Sequence, residues 1–158
     1  MKTRIIIPTY NERENIIKLI KKINKVAVLE NLNYEMIIID DGSTDGTIQE
    51  IKSQQKNQDN LILIIRNNNE PMGVGNAHIE GYDHSSGDII IDLDADLSHS
   101  PKRIPDFIKT IYDGKDIVIG SRFINIGSTA QNLLKKTISK FGNIYLSKIL
   151  NIPLNDFT

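Results

Sequence analysis

The chain has 158 residues, a formal net charge of −1 and no cysteine, which fits one domain able to bury a core without staples and excludes disulfides and thiolate metal sites. No apolar run approaches the roughly 20 residues a membrane span needs, and the apolar part of MKTRIIIPTYNE is too short for a signal peptide. A cytoplasmic location is therefore expected. The charge is uneven: residues 1–34 carry a net +4, residues 35–98 a net −10 and residues 99–150 a net +6. An acidic middle suits a cation and a basic final third suits an anionic partner, although solvated helix faces give the same composition.

In chain order, Arg4–Pro8 is predicted as a strand closed by proline, and Glu12 to about Ala27 as a helix with Ile16, Ile17, Ile20, Ile23 and Ala27 on one face and Asn11 as its N-cap. Glu35–Asp40 is a second strand, and Gly42-Ser43-Thr44-Asp45 turns the chain into a helix through about Gln54. Leu61–Arg66 is a third strand, followed by a polar loop, Asn67 to Pro71. Gly73 to about Asp83 is a helix, Asp88–Asp92 a fourth strand, and Pro101 opens a helix to about Tyr112. Asp116–Ser121 is a fifth strand, and Thr129–Leu150 a long basic amphipathic helix, suited either to an anionic membrane surface or to packing on the core with its lysines solvated.

Continuous isoleucine runs alternating with helices predict a mostly parallel α/β sheet with helices on both faces. In such sheets ligands sit at the carboxyl ends of the strands. The chemistry-bearing residues fall there: Pro8 to Glu12 after the first strand, Asp40 and Asp41 after the second, Asp94 to Asp96 after the fourth, Arg122 after the fifth. They are expected to converge although they are distant in sequence.

DIIIDLDADLSHS, residues 88–100, is the most informative stretch. Neighbouring carboxylates repel and are costly to bury unpaired, and three alternating acids exceed what capping the next helix requires. Oxygen ligands on a short loop suit Mg²⁺ or Mn²⁺ bridging protein and diphosphate. Extended alternation puts Asp92, Asp94 and Asp96 on one side. Asp92 is a candidate for supporting the ligands from behind, and Ser98 and His99 are further candidates. Asp41 can accept from a base or ribose, Tyr10 can stack on a base, and Glu12 can reach a base edge. For DDGSTDGT and PTYNE, ordinary helix capping is the competing reading. PMGVGNAHIEG is not the GxGxxG fingerprint, because residue 78 is His and the segment follows the third strand. Its glycines fit close helix packing or backbone approach to a ligand, and His78 is read as a packing residue. Arg122 in GSRF has the planar fork that suits a phosphate.

Taken together, PTYNERENI, IIIDDGSTDGT, GVGNAHIEGY, DLDADLSHSPKRIPDFI, DIVIGSRF and the terminal NDFT resemble the dolichol-phosphate (polyprenol-phosphate) mannosyltransferases of glycosyltransferase family 2. The resemblance spans nearly the whole chain and implies a Rossmann-like fold of the GT-A type. It implies that Pro8, Tyr10, Glu12, Ile39 and Asp41 bind the nucleoside of GDP-mannose, and that Asp94, Ala95 and Asp96 hold the diphosphate. Asp94 and Asp96 would bind the Mg²⁺ or Mn²⁺, with Asp96 and Arg122 as the catalytic pair. Ser98 stands where some relatives have a metal-binding Gln. Lys135 and Ser139 would cradle the acceptor phosphate, Lys135 replacing an Arg and so lacking its bidentate fork. The implied activity is inverting transfer of mannose to a dolichol or polyprenol phosphate at the cytoplasmic face of a membrane, with peripheral attachment and no nucleic-acid partner. Rival expectations are a family 2 transferase using a UDP-sugar and a non-catalytic nucleotide-sugar-binding fragment. The family continues past the DFT-like segment, whereas this chain ends at Thr158, so a single catalytic domain cut short at its C-terminus is expected.

Overall fold

A computed structural model of the chain describes residues 1–66 and 73–120. Four strands, β1 (Thr3–Thr9), β2 (Tyr34–Asp40), β3 (Leu61–Ile65) and β4 (Ile89–Asp92), form one parallel sheet in the order β3-β2-β1-β4. Helices α1 (Arg13–Leu29), α2 (Thr47–Gln55) and α3 (Val74–Asp83) connect them, and α4 (Ile104–Tyr112) follows a single 3-10 turn at Pro101–Arg103. The predicted strands and helices through Tyr112 are all present, with ends moved by one or two residues except that α4 begins at Ile104, three residues after Pro101. By its contacts the chain divides into two compact units, Met1–Lys109 and Thr110–Thr158. The sheet belongs entirely to the first. Of the second, only residues 110–120 are described, and the predicted helix over residues 129–150 lies outside them.

The central strands explain the isoleucine runs. Ile5, Ile6 and Ile7 of β1 and Met36 to Ile39 of β2 are all buried, because each strand has a neighbour on both edges and cover on both faces. Register pairs Ile6 with Ile37, so Ile6, Ile37 and Ile39 share one face with Ala77 of α3 and with Ile62 and Ile64. Ile5, Ile7, Met36 and Ile38 point to the opposite face. Right-handed crossovers place α1 and α2, which pack on one another, over that opposite face. The chain then reverses direction through α3 to set β4 beside β1. The apolar stripe of α1 is Ile16, Leu19, Ile20, Ile23, Val26 and Ala27. Ile17 is only half-buried and Leu19 takes its place.

α3 lies unusually close to the sheet, and Gly81 is the reason. A Cβ built there would stand 2.5 Å from Ile6 Cγ2 and 3.0 Å from Ile39 Cδ1. Gly81→Ala is expected to destabilise the fold by about 1–3 kcal/mol through overpacking, despite alanine's better helix propensity. Chemical denaturation checks this, and a neutral or stabilising result would mean α3 can shift freely.

Two expectations are corrected. Residues 116–120 form no strand, and Ile117 is 79% exposed. β-branched composition favours extended backbone, but a strand exists only where a neighbour takes its N–H and C=O groups. β4 is also not buried throughout; Ile89 and Ile91 are covered while Ile90 and Asp92 are exposed.

Candidate functional site

The reversal of strand order at β1 and β4, in a sheet that stays parallel throughout, opens a crevice at the carboxyl ends of the strands. A cleft of about 340 Å³ occupies it. Pro8, Thr9, Tyr10 and Glu12 reach it from β1, Asp41 from β2, Asp94, Ala95 and Asp96 from β4, and Gly73, Val74 and Ala77 from the start of α3. The convergence expected of the loop residues is therefore met for seven of the candidates: Pro8, Tyr10, Glu12, Asp41, Asp94, Ala95 and Asp96. Ile39 is different. It is fully buried in the core against Ile6 and Ala77, so its side chain is not offered to a ligand. Arg122, Lys135 and Ser139 lie outside the described residues.

The first two loops clasp each other. Asn11 takes a left-handed conformation (φ 55°), and its Oδ1 accepts from Thr44 N at 2.9 Å while its own N–H donates to Ser43 Oγ at 2.8 Å. Asn11 is thus not the N-cap of α1, as expected from sequence. Glu12 holds the cap position without a side-chain cap bond, and Asp45 from the second loop accepts from Arg13 N at 3.2 Å. Asp45 also accepts from Thr47 N at 3.0 Å and from the Thr47 hydroxyl, so one carboxylate serves the starts of α1 and α2. The Thr47 hydroxyl is the main cause holding the Asp45 carboxyl below its ordinary pKa. Asp40, wholly buried, accepts from Gly42 N, Ser43 N and Ser43 Oγ at 3.1, 2.7 and 2.7 Å. Of the acids in DDGSTDGT, Asp40 and Asp45 are structural and only Asp41 reaches the cleft.

Asp41 sits in a charged cluster that the sequence alone did not reveal. Its Oδ2 accepts from Gly73 N at 2.9 Å. Its Oδ1 lies 3.3 Å from Arg66 Nη1, near enough for charge attraction but outside hydrogen-bonding geometry. Arg66 in turn meets Glu80 Oε2 through Nε at 3.2 Å and Gly73 O through Nη1 at 3.4 Å. The Arg66 side chain is 4% exposed. The available signal was an arginine closing an apolar strand, LILIIR, a position where a charge needs a partner.

The acidic loop does not continue the strand's alternation. Asp92 accepts from the Tyr82 hydroxyl at 2.7 Å and is not among the cleft residues. The chain turns over residues 95–97, with Leu97 left-handed at φ 66°, and this turn brings Asp94, Ala95 and Asp96 into the cleft together. Asp96 Oδ1 accepts from Ser98 N at 2.8 Å, and His99 Nδ1 lies 3.3 Å from Asp94 N and 3.6 Å from Asp94 Oδ2. Neither Ser98 nor His99 lines the cleft. Among the described residues no group of three or more His, Cys, Asp or Glu is placed to hold a metal. Two carboxylates on one short loop, Asp96 exposed and Asp94 half-exposed, do fit a hard cation that takes its other ligands from water and substrate phosphates.

His78 stacks on Tyr82, ring centroids 6.2 Å apart, which agrees with a packing role. Burial, then the hydrogen bond and charge of Asp92, push the Tyr82 phenol up to about 12 from an ordinary 10.0. A raised folded-state pKa means that the stabilisation is whole below pH 10 and is lost as pH rises toward 12. The thermal midpoint is expected to fall more steeply across that window in the unmodified chain than in Tyr82→Phe. Parallel slopes would rule out a raised phenol pKa.

Residues 4–158 match the family model for Glycosyl transferase family 2. The chain is 41% identical to a dolichol-phosphate mannosyltransferase of Pyrococcus furiosus, covering 99% of this chain and 45% of that protein. It is 33% identical to an undecaprenyl-phosphate 4-deoxy-4-formamido-L-arabinose transferase of Proteus mirabilis, covering 99% and 46%. The chain thus spans a little under half the length of these relatives. Among solved structures, a mannosyltransferase of Pyrobaculum calidifontis in complex with GDP-Man and Mn²⁺ superposes with a TM-score of 0.60 at 26% identity, over 71% of this chain and 32% of that one. Glucosyl-3-phosphoglycerate synthase of Mycobacterium tuberculosis superposes with a TM-score of 0.65 at 20% identity, over 98% and 53%, a likeness of fold. With the parallel Rossmann-like sheet of the GT-A type, the acid-lined cleft at its switch point and a family match over nearly its whole length, this chain belongs to glycosyl transferase family 2.

Proposed function

We propose that the chain is the donor-binding part of a single catalytic domain that transfers mannose from GDP-mannose to a dolichol or polyprenol phosphate with inversion. The observation that carries this reading is the cleft itself. Asp41 stands at the end of β2 and Asp94 with Asp96 at the end of β4, with β1 between them. Strands are about 4.8 Å apart, so the two acidic positions are separated by about 10 Å, a span suited to a nucleoside at one end and its diphosphate at the other. Half-exposed Tyr10 provides a face for the base, and Glu12 and Asp41 provide acceptors.

Asp94 and Asp96 would hold Mg²⁺ or Mn²⁺. Such an ion, when bound, offsets the charge that develops on a departing diphosphate. The complex of the Pyrobaculum relative with GDP-Man and Mn²⁺ supports both donor and cation. By resemblance, Asp96 and Arg122 serve the reacting diphosphate, and Lys135 with Ser139 serves the acceptor phosphate. That phosphate, with a second pKa of about 6, is already ionised at neutral pH, so this chain need not supply a strong general base. No described helix is long and apolar enough to cross a membrane. For a lipid acceptor our reading is peripheral contact at the cytoplasmic face, with the basic segment 129–150 as candidate.

Calorimetric titration with GDP-mannose, UDP-glucose and UDP-N-acetylglucosamine, each with Mg²⁺ and with Mn²⁺, tests the reading. Preferred binding of GDP-mannose supports it. A UDP-sugar preference would move the chain to the second reading, a transferase for a different sugar, which the arabinose-type Proteus relative favours. Tight GDP binding without turnover on polyprenol phosphate, by this chain and by a longer one, would leave a binding module.

A further inference from the structure

Arg66 is a buried cation at the edge of the cleft that no step above uses. It stands where β3 ends, and its backbone N–H donates to Asp40 O at 2.9 Å, the residue just before Asp41. Its guanidinium then turns back to face Asp41 Oδ1 at 3.3 Å, Glu80 Oε2 at 3.2 Å and Gly73 O at 3.4 Å. Asp41 itself takes the N–H of that same Gly73. The carboxylate and guanidinium therefore grip both polar groups of one glycine peptide position, at the start of α3 and on the wall of the cleft.

This arrangement removes the freedom of the Asp41 carboxylate. Rotation of its side chain would break the Gly73 bond and pull Oδ1 away from its buried counter-charge, which is costly where water cannot substitute. Yet the carboxylate keeps unused acceptor capacity. Its Oδ1 is buried against Arg66 and out of a ligand's reach, so that capacity lies on Oδ2, whose lone pairs meet one donor, Gly73 N–H, among the described residues. A rigid carboxylate with spare lone pairs beside a cleft is a preorganised acceptor for ligand N–H or O–H groups. We propose that Arg66 is a positioning residue for the nucleoside, acting through Asp41 and Gly73, with Glu80 holding the guanidinium from behind. The proposal rests on the nucleotide reading of the cleft.

Its distinctive consequence is a split between the two ends of the ligand. Asp94 and Asp96 belong to the β4 loop, and among the described residues no hydrogen bond or ion pair joins them to this cluster. The probes are GDP, UDP and inorganic pyrophosphate, each with Mn²⁺, titrated calorimetrically into the unmodified chain and into Arg66→Met, Arg66→Lys and Glu80→Gln. Arg66→Met is expected to raise the Kd of the preferred nucleotide at least tenfold while leaving pyrophosphate within about twofold, consistent with the cost of unpairing a buried charge pair. Arg66→Lys, a point charge without the fork, is expected to recover part of the loss, and Glu80→Gln to cost a few fold. Should Arg66→Met not fold, Arg66→Lys decides by the same comparison. Unchanged nucleotide affinity, or equal losses for nucleotide and pyrophosphate, would overturn the positioning role and leave the nucleotide reading standing. An unmodified chain that binds neither nucleotide overturns both.

Discussion

Asp94→Ala combined with Asp96→Ala is expected to abolish cation-dependent donor binding while leaving the chain folded. Replacing residues that merely orient a metal ligand typically costs 10–100-fold in metal affinity. Losing both carboxylates of the acidic loop is therefore expected to cost at least ~100-fold, which is about 2.7 kcal/mol or more. The fold has little to lose. Asp96 is exposed and Asp94 half-exposed, and Asp96 accepts one local bond from Ser98 N. Removing two like charges from one turn also relieves repulsion. The measurement is titration of GDP-mannose with and without Mn²⁺, alongside a thermal melt. If the folded double variant still shows cation-dependent binding with unchanged affinity, the assignment of this loop is wrong.

The second large effect concerns stability. Arg66→Met is expected to destabilise the first compact unit by about 3 kcal/mol, near the lower end of the range for breaking a buried ion pair from one side. The cost arises on Asp41, whose side chain is 7% exposed and would keep an unpaired charge. Glu80, at 34% exposure, can turn to water, which is why the upper end of the range is not expected. Replacing all three together, with Asp41→Leu, Arg66→Met and Glu80→Gln, is expected to recover most of the loss, because no buried charge then remains. Denaturant unfolding of the single and triple variants reads this directly. A single variant as stable as the unmodified chain would show that Asp41 is solvated or paired elsewhere.

The periodicity of the chain carried the fold a long way. Ile5–Ile7 and Met36–Ile39 are buried on both faces because they form the two middle strands. Their unbroken apolar character was enough to predict a covered parallel sheet. The same signal misled at residues 116–120, since hydrophobicity marks a segment able to pair and says nothing of whether a neighbour is there. Helix ends were less legible. Asn11 has the chemistry of a cap, yet it bridges two loops while Asp45, far along the chain, supplies the α1 donor's acceptor. Local propensity cannot reveal a cap delivered across space.

What the sequence determined by itself was the inventory and the order: which segments become strands, which acids follow them, and a family membership written in the spacing of PTYNE, DDGS and DADLSH. Only the tertiary structure decided which of those acids face a ligand. Asp40 and Asp45 were drawn into backbone hydrogen bonds, Asp92 into a bond with Tyr82, and Asp41 was left on the cleft wall under the charge of Arg66. The physical reason is that a carboxylate's role depends on which donors lie within about 3 Å of it, and those donors come from strands and helices that meet only when the sheet closes.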